Sequence, residues 1–371
     1  MNRWGIIGCG DVVKSKSGPS FNSLSESTLI SVMRRNPTYA EEFKNLLGAK
    51  RFTTDAMELI LDEQINSIYI ATPPSSHKSY ALACIQANKH CYIEKPVGMN
   101  ADEALEIKKQ LELQNSILET NGNWDNGDIK VVVAHYRRAL PAFQRTKEDI
   151  QDNLIGNILS VNINTHLSCE NDNKADAHKD DWRLNPAISG GGRFHDLSPH
   201  QLDLMMYFFG HPVSAQGMSC RRRNHKEAGS DVTQGTAVFG HIPVVGSWVF
   251  GVTPEDEKDE CIINGDHGSI KFNFFGPSCK IIIDTSEHDN NNNTEAEFVH
   301  PDVIQQPFIH EVNQYFLDNS TNSNSGWGSN SGSNSDGNSG SGVCNPCSID
   351  EAIKIMRVID AFSKPPPELA L

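Results

Sequence analysis

Apolar runs without alternation recur through the first third of the chain, each followed by a stretch of helical period. "RWGII" ends at Gly8 and Gly10, which predicts a strand entering a tight turn. "TLISVM" precedes "NPTYAEEFKNLLG", where Pro37 suits a first helical turn and Gly48 a helix stop. "RFTT" precedes "DAMELILDE", with Asp55 as its cap. "SIYIATPP" then precedes "SSHKSYALACIQANK", and "HCYIEKPV" precedes "NADEALEIKKQLELQN". Strands apolar on both faces that alternate with helices require a parallel sheet covered on both sides. The pattern predicts a doubly wound α/β domain over 1–130, with "IKVVVAHYRRALP" supplying the strand that closes it.

Beyond residue 131 the pattern changes. "ILSVNINTHLS", "TQGTAVFG", "VGSWVFGV", "DECIINGDHGSIKFNFF" and "KIIIDT" read as strands, with "NGDHG" as a hairpin turn. Many strands and few helices predict an α+β domain over 131–371 with a large, mostly antiparallel sheet. The Asn/Ser/Gly-rich run at about 319–343 is too polar to repay the entropy of ordering and reads as a disordered insertion; helical period resumes at "SIDEAIKIMRVIDAFSK". A shorter polar run, "DTSEHDNNNNTEAE", reads as a loop.

Composition narrows the function classes. Among 371 residues, 47 acidic against 32 basic side chains give a formal charge of -15, which disfavours nucleic acid and anionic membranes as partners. No leader-like apolar run of about 7–15 residues opens the chain, and no run of about 18 apolar residues occurs, so no membrane partner is expected. Nine scattered cysteines, an odd count, fit a reducing compartment, and a cytoplasmic location is expected. Cys344 and Cys347 form a single CxxC without a second pair, so no metal is assigned. "CRRRNHK" reads as a solvated basic edge, and neither GxSxG nor HExxH is present.

Chemistry gathers where strands end. "WGIIGCGD" begins a dinucleotide fingerprint in which Gly8 permits the turn and Gly10 lets the backbone reach a pyrophosphate; Cys9, Asp11 and Val12 complete the contact, while Val13 stands in place of the third glycine. After the second strand an NAD site places an acid, but this chain reads "VMRRN", and the forked guanidinium groups of Arg34 and Arg35 suit a 2'-phosphate. NADP(H) is therefore expected ahead of NAD(H). Thr72 and Pro73 in "ATPPSSH" shape the crevice wall; His77 is placed against cofactor or in packing of the next helix. Glu94 and Lys95 in "YIEKPVG" end the fifth strand, with the following proline restraining the backbone that aims the ammonium.

The set "GIIGCG", "ATPPSSH", "EKP" and "GGGRFHDLSPHQLD" resembles the Gfo/Idh/MocA family of glucose–fructose oxidoreductase and inositol dehydrogenase relatives, over nearly the whole chain apart from the polar insertion. The resemblance implies a Rossmann domain followed by an α+β domain whose sheet carries substrate and often a homo-oligomer interface. It also implies NAD(P)-dependent exchange between an alcohol and a carbonyl on a sugar, polyol or related small molecule. By position it marks Lys95, Asp196 and His200 as catalytic, and Arg138, before "ALP", as its frequent arginine. Val13 and the Arg34–Arg35 pair depart from the family's pattern.

Within "SGGGRFHDLSPHQLD", Ser198, Pro199 and Gln201 can form a capping box with proline at the first helical position. His200 then lies in the first turn, where the helix field keeps its ring neutral and able to exchange a proton near neutral pH. Asp196 orients it or meets a substrate hydroxyl, and Asp203 shares its face; a helix starting earlier makes Asp196 and His200 an i,i+4 pair. Lys95 is assigned to polarise the substrate oxygen and His200 to act as general acid in reduction, with the owner of the transferred proton left open between them. Tyr136, Arg138 and Trp182 are placed on the substrate wall, and His195 in packing or against cofactor. Two other readings stand beside the oxidoreductase: a lyase or hydrolase using tightly held NAD(P) for transient oxidation, and a ligand sensor or scaffold without turnover.

Overall fold

The computed structural model describes residues 1–122, 127–168, 182–221, 231–287, 290–318 and 343–366. The run expected to be disordered lies outside the described residues, save Val343. In chain order the first helices are α1 (Ser20–Ser23), α2 (Pro37–Leu47), α3 (Ala56–Ile60), α4 (His77–Gln86) and α5 (Ala101–Thr120). They are followed by α6 (Pro141–Gln151), α7 (Pro186–Ser189), α8 (Arg193–Phe209), α9 (Gln306–Leu317) and α10 (Ile349–Phe362). Among the described residues no helix is long and apolar enough to cross a membrane. Two compact units emerge: Met1–Tyr136 with Pro301–Ile353, and Arg137–His300 with Lys354–Leu371. The division thus differs from a single cut at residue 130, because the segment 301–353 belongs with the first unit.

The first unit is a six-stranded sheet of β1 (Asn2–Ile7), β2 (Ser27–Met33), β3 (Arg51–Thr53), β4 (Ser67–Ile70), β5 (His90–Ile93) and β6 (Val131–Val133). Its order is β3-β2-β1-β4-β5-β6 and every neighbouring pair is parallel. β4 is buried at all its positions, as a strand covered on both faces must be. Local signals set the helix ends: Asn36 accepts from the Tyr39 amide and Gly48 closes α2 at φ 67°, while Asp55 accepts from the Met57 amide at the start of α3. α9 closes one side of the unit. Phe316 stacks on Trp4 at 5.6 Å between centroids, and Asn313 Oδ1 accepts from Trp4 Nε1 at 2.9 Å and Asn2 Nδ2 at 2.8 Å.

The second unit carries an eight-stranded sheet of β7 (Ile158–Ser168), β8 (Pro212–Cys220), β9 (Val232–Phe239), β10 (Ile242–Val252), β11 (Lys258–Gly265), β12 (Gly268–Phe272), β13 (Ser278–Glu287) and β14 (Asn290–Val299). The order is β14-β13-β12-β11-β7-β10-β9-β8, and only the central β7–β10 pair is parallel. Alternation is visible in β7, where Val161, Ile163 and Thr165 are buried between half-exposed neighbours. "NGDHG" makes the β11–β12 turn. The polar run read as a loop instead forms the end of β13 and most of β14, paired in register from Ser278↔Val299 to Glu287↔Asn290. Ladder hydrogen bonds join backbones, and an edge strand tolerates polar side chains, so composition alone misleads there.

Candidate functional site

In the first unit, the carboxyl ends of the strands gather the residues expected to hold a nucleotide. Gly8 takes φ +92°, and a Cβ there would lie 2.5 Å from Thr72 Cγ2 and 2.8 Å from the Thr72 amide, so only glycine lets the ends of β1 and β4 approach. The Gly8 and Cys9 amides both donate to the Met33 carbonyl, tying the turn to the end of β2. At Gly10 the place of a side chain is empty to 4 Å, which is the room a pyrophosphate needs against bare backbone. Asp11 is exposed and Val12 half-buried; the chain from Val12 to Ser17 then winds as a wide π-type turn, with the Gly18 amide donating to the Val13 carbonyl. Val13, in the third-glycine position, is fully buried. Burial pushes the Cys9 thiol up to about 12, which suits a small filler and not a nucleophile.

Arg34 at the end of β2 is half-buried with its guanidinium 4.6 Å from the Tyr39 ring centroid and 5.5 Å from that of Phe43, while Arg35 is exposed. Thr72 and Pro73 follow β4, and Thr72 Oγ1 accepts from Ser76 at 2.8 Å. His77 is fully buried, Nε2 facing the Thr72 carbonyl at 2.6 Å and Nδ1 the Pro96 carbonyl at 2.8 Å. Both ring nitrogens are thereby engaged in joining the loops after β4 and β5, so this side chain shapes the loops that flank a ligand. Burial pushes its imidazole down, opposed by those two carbonyls and by Glu94.

Glu94 is buried after β5. Its Oε1 accepts from Tyr69 Oη at 2.6 Å and Gln305 Nε2 at 2.8 Å, and its Oε2 accepts from the Lys95 amide at 3.2 Å. Lys95 itself is half-buried. Tyr136, placed on the substrate wall from sequence, is 4% exposed in the turn that follows β6.

In the second unit the three-glycine run has a separate cause at each position. Gly190 ends α7 at φ 92°, a Cβ on Gly191 would overlap the His195 ring, and Gly192 starts α8 at φ 84°, ψ −152°. α8 therefore begins at Arg193, five residues before the expected Ser198–Gln201 cap, and Pro199 lies inside it. The reason is packing: Gln201 turns its side chain to the sheet, donating to Thr165 Oγ1 and accepting from Trp248 Nε1, both at 2.6 Å. His200 is consequently in the helix body, not its first turn, beyond the reach of the helix N-terminal field. Asp196 and His200 form the i,i+4 pair of the earlier-starting helix.

Asp196 is half-buried, with Oδ2 3.4 Å from Arg183 Nε, and that guanidinium stands 4.7 Å from the Trp182 ring centroid. Arg183 was not singled out in the sequence, although it adjoins Trp182 in "DDWRLNP". His200 is buried, its ring 6.1 Å from that of Phe275. Arg138 and Asp203 are both buried and meet at two points, Nε–Oδ2 2.9 Å and Nη2–Oδ1 2.6 Å. The arginine expected at the substrate wall thus fastens the turn before α6 to α8, and Asp203 serves that ion pair. His195 is buried with no hydrogen-bond partner for Nδ1 among the described residues, and burial pushes it down to about 4.

A parallel sheet in this order, with a glycine turn after its first strand, is a dinucleotide-binding architecture, and residues 2–121 match the oxidoreductase family with an NAD-binding Rossmann fold. Residues 143–271 match the GFO/IDH/MocA C-terminal domain. The chain belongs to the GFO/IDH/MocA oxidoreductase family. An oxidoreductase of Formosa agariphila is 35% identical over 97% of both chains. The 1,5-anhydro-D-fructose reductase of Ensifer adhaerens is 25% identical over 73% of this chain and 75% of its own. Among solved structures, levoglucosan dehydrogenase in complex with NADH and levoglucosan superposes with a TM-score of 0.75 at 19% identity, over 97% of this chain and 96% of that one.

Proposed function

We propose that this family member is an NADP-preferring oxidoreductase that moves hydride between a nicotinamide and a carbonyl or alcohol carbon of a sugar-like or polyol molecule. The observation that carries the reading is the carboxyl edge of the parallel sheet, where the Gly8–Val12 turn, Arg34, Thr72, Pro73, Glu94 and Lys95 follow β1, β2, β4 and β5. The backbone of the turn holds the pyrophosphate, and Arg34 and Arg35 hold the 2'-phosphate. When bound, the dinucleotide donates or accepts the hydride. Lys95 binds the substrate oxygen and steadies the charge that develops on it; His200 exchanges the proton, and Asp196 orients substrate or imidazole. The names of the relatives, a fructose-derivative reductase and a levoglucosan dehydrogenase, support a carbohydrate-like substrate.

The test is titration of the purified protein with NADPH and NADH, then absorbance assays against aldoses, ketoses, polyols and dicarbonyls. Lys95→Ala and His200→Ala are each expected to lower kcat by about 10²–10⁴-fold. Unchanged turnover in either variant removes that residue from the mechanism, and equal affinity for the two cofactors removes the role of Arg34 and Arg35. Product formed with no net change in nicotinamide absorbance identifies the transient-oxidation chemistry instead.

A further inference from the structure

Gln305 lies far along the chain from every motif, yet it is 1% exposed inside the first unit. Its backbone N–H donates to the Lys16 carbonyl at 2.9 Å, in the wide turn that follows the glycine loop. Its Oε1 accepts from Tyr92 Oη at 3.0 Å, and its Nε2 donates to Glu94 Oε1 at 2.8 Å. Glu94 in turn accepts from the Lys95 amide. Tyr69 and Tyr92, both fully buried and stacked at 4.9 Å, wall the group in. One residue therefore links the segment after the nucleotide turn, held by its backbone N–H, to the backbone of Lys95, reached from its side chain through a single buried carboxylate. A buried carboxylate needs each of its donors, so loss of one must move it.

We propose that Gln305 is a positioning residue that sets Lys95 in register with the nucleotide turn by holding Glu94. The inference rests on the oxidoreductase reading given above for its catalytic consequence, but not for its structural part. The titratable groups around the carboxylate are Tyr69 on β4, Tyr92 on β5, His77 on α4 and Lys95 itself. Burial and Glu94 together hold the Tyr69 phenol well above its ordinary value, and burial with Glu94 does the same for Tyr92, so both stay hydroxyl donors.

Two variants of the full chain test the proposal. Gln305→Met removes both polar atoms at similar volume. Gln305→Glu keeps the acceptor for Tyr92 at the same length but replaces the donor to Glu94 with a second carboxyl. Expected results are a roughly tenfold lower kcat in both variants, with NADPH affinity by tryptophan fluorescence lowered in the same order. A cofactor-free readout accompanies them: the acylation rate of Lys95 by a neutral reagent, read by mass spectrometry, should change at least roughly threefold in Gln305→Met. Variants that melt earlier yet keep wild-type kcat, NADPH affinity and Lys95 labelling would show a merely structural glutamine and overturn the proposal. A wild-type protein that binds no dinucleotide overturns the oxidoreductase reading alone, because altered labelling in Gln305→Met still establishes the positioning.

Discussion

Lys95 follows an interior strand whose neighbours on both sides are fixed by ladder hydrogen bonds, whereas His200 rides on a helix whose start is set by three glycines and whose body is held by side chains. Around Lys95 the buried carboxylate, Glu94, is satisfied by neutral donors; around His200 the buried carboxylate, Asp203, is satisfied by a two-point guanidinium. Strand ends deliver chemistry through backbone placement, so the nearby side chains adjust finely. A helix body delivers it through side-chain anchors, so losing one anchor threatens the element itself.

The largest effect should follow from breaking such an anchor. Asp203→Ala leaves the Arg138 guanidinium buried without its carboxylate and is expected to destabilise the second unit by about 3–5 kcal/mol, read by chemical denaturation. A pair of glycine substitutions sharpens the contrast. Gly191→Ala drives a methyl into the His195 ring and should cost about 1–3 kcal/mol, while Gly10→Ala meets open space and should leave the denaturation midpoint unmoved. Gly10→Ala should instead weaken NADPH roughly tenfold by fluorescence titration, since its methyl enters the space the backbone keeps clear for pyrophosphate.

A further effect is shared by both units. Burial holds the His195 imidazole at about 4, and burial with the Lys130 charge holds that of His90 at about 4, against an ordinary 6.5. Between those values the unfolded chain takes up protons that the folded one refuses. Stability should therefore be complete above 6.5, fall as the pH drops toward 4, and level below it. His195→Phe should flatten part of that slope in melts across the range, and an unaltered slope would show that His195 is already protonated in the fold.

Much of the first unit was legible because its signals are local. Asn36, Gly48 and Asp55 act within a few residues of where they stand, and the apolar runs without alternation declare a covered parallel sheet. The start of α8 was not legible. Ser198, Pro199 and Gln201 spell a capping box, but Gln201 finds Thr165 and Trp248 across the unit, and that tertiary gain overrides the local signal. β14 was hidden for a related reason, since its residues name no strand until β13 offers a ladder. Gln305 and its carboxylate are 211 positions apart, a separation that no motif spacing encodes.

The return of residues 301–353 to the first unit bears on how the protein is made. Asn2 and Trp4 leave the ribosome 311 and 309 residues ahead of their partner Asn313, and the Lys130 ammonium waits for the Tyr315 carbonyl. The first unit therefore stays unfinished until the second unit's whole sheet has been synthesised. A message cut short after the second unit's sheet would release a polypeptide whose opening strand has lost its cover, which marks it for proteolysis rather than partial activity.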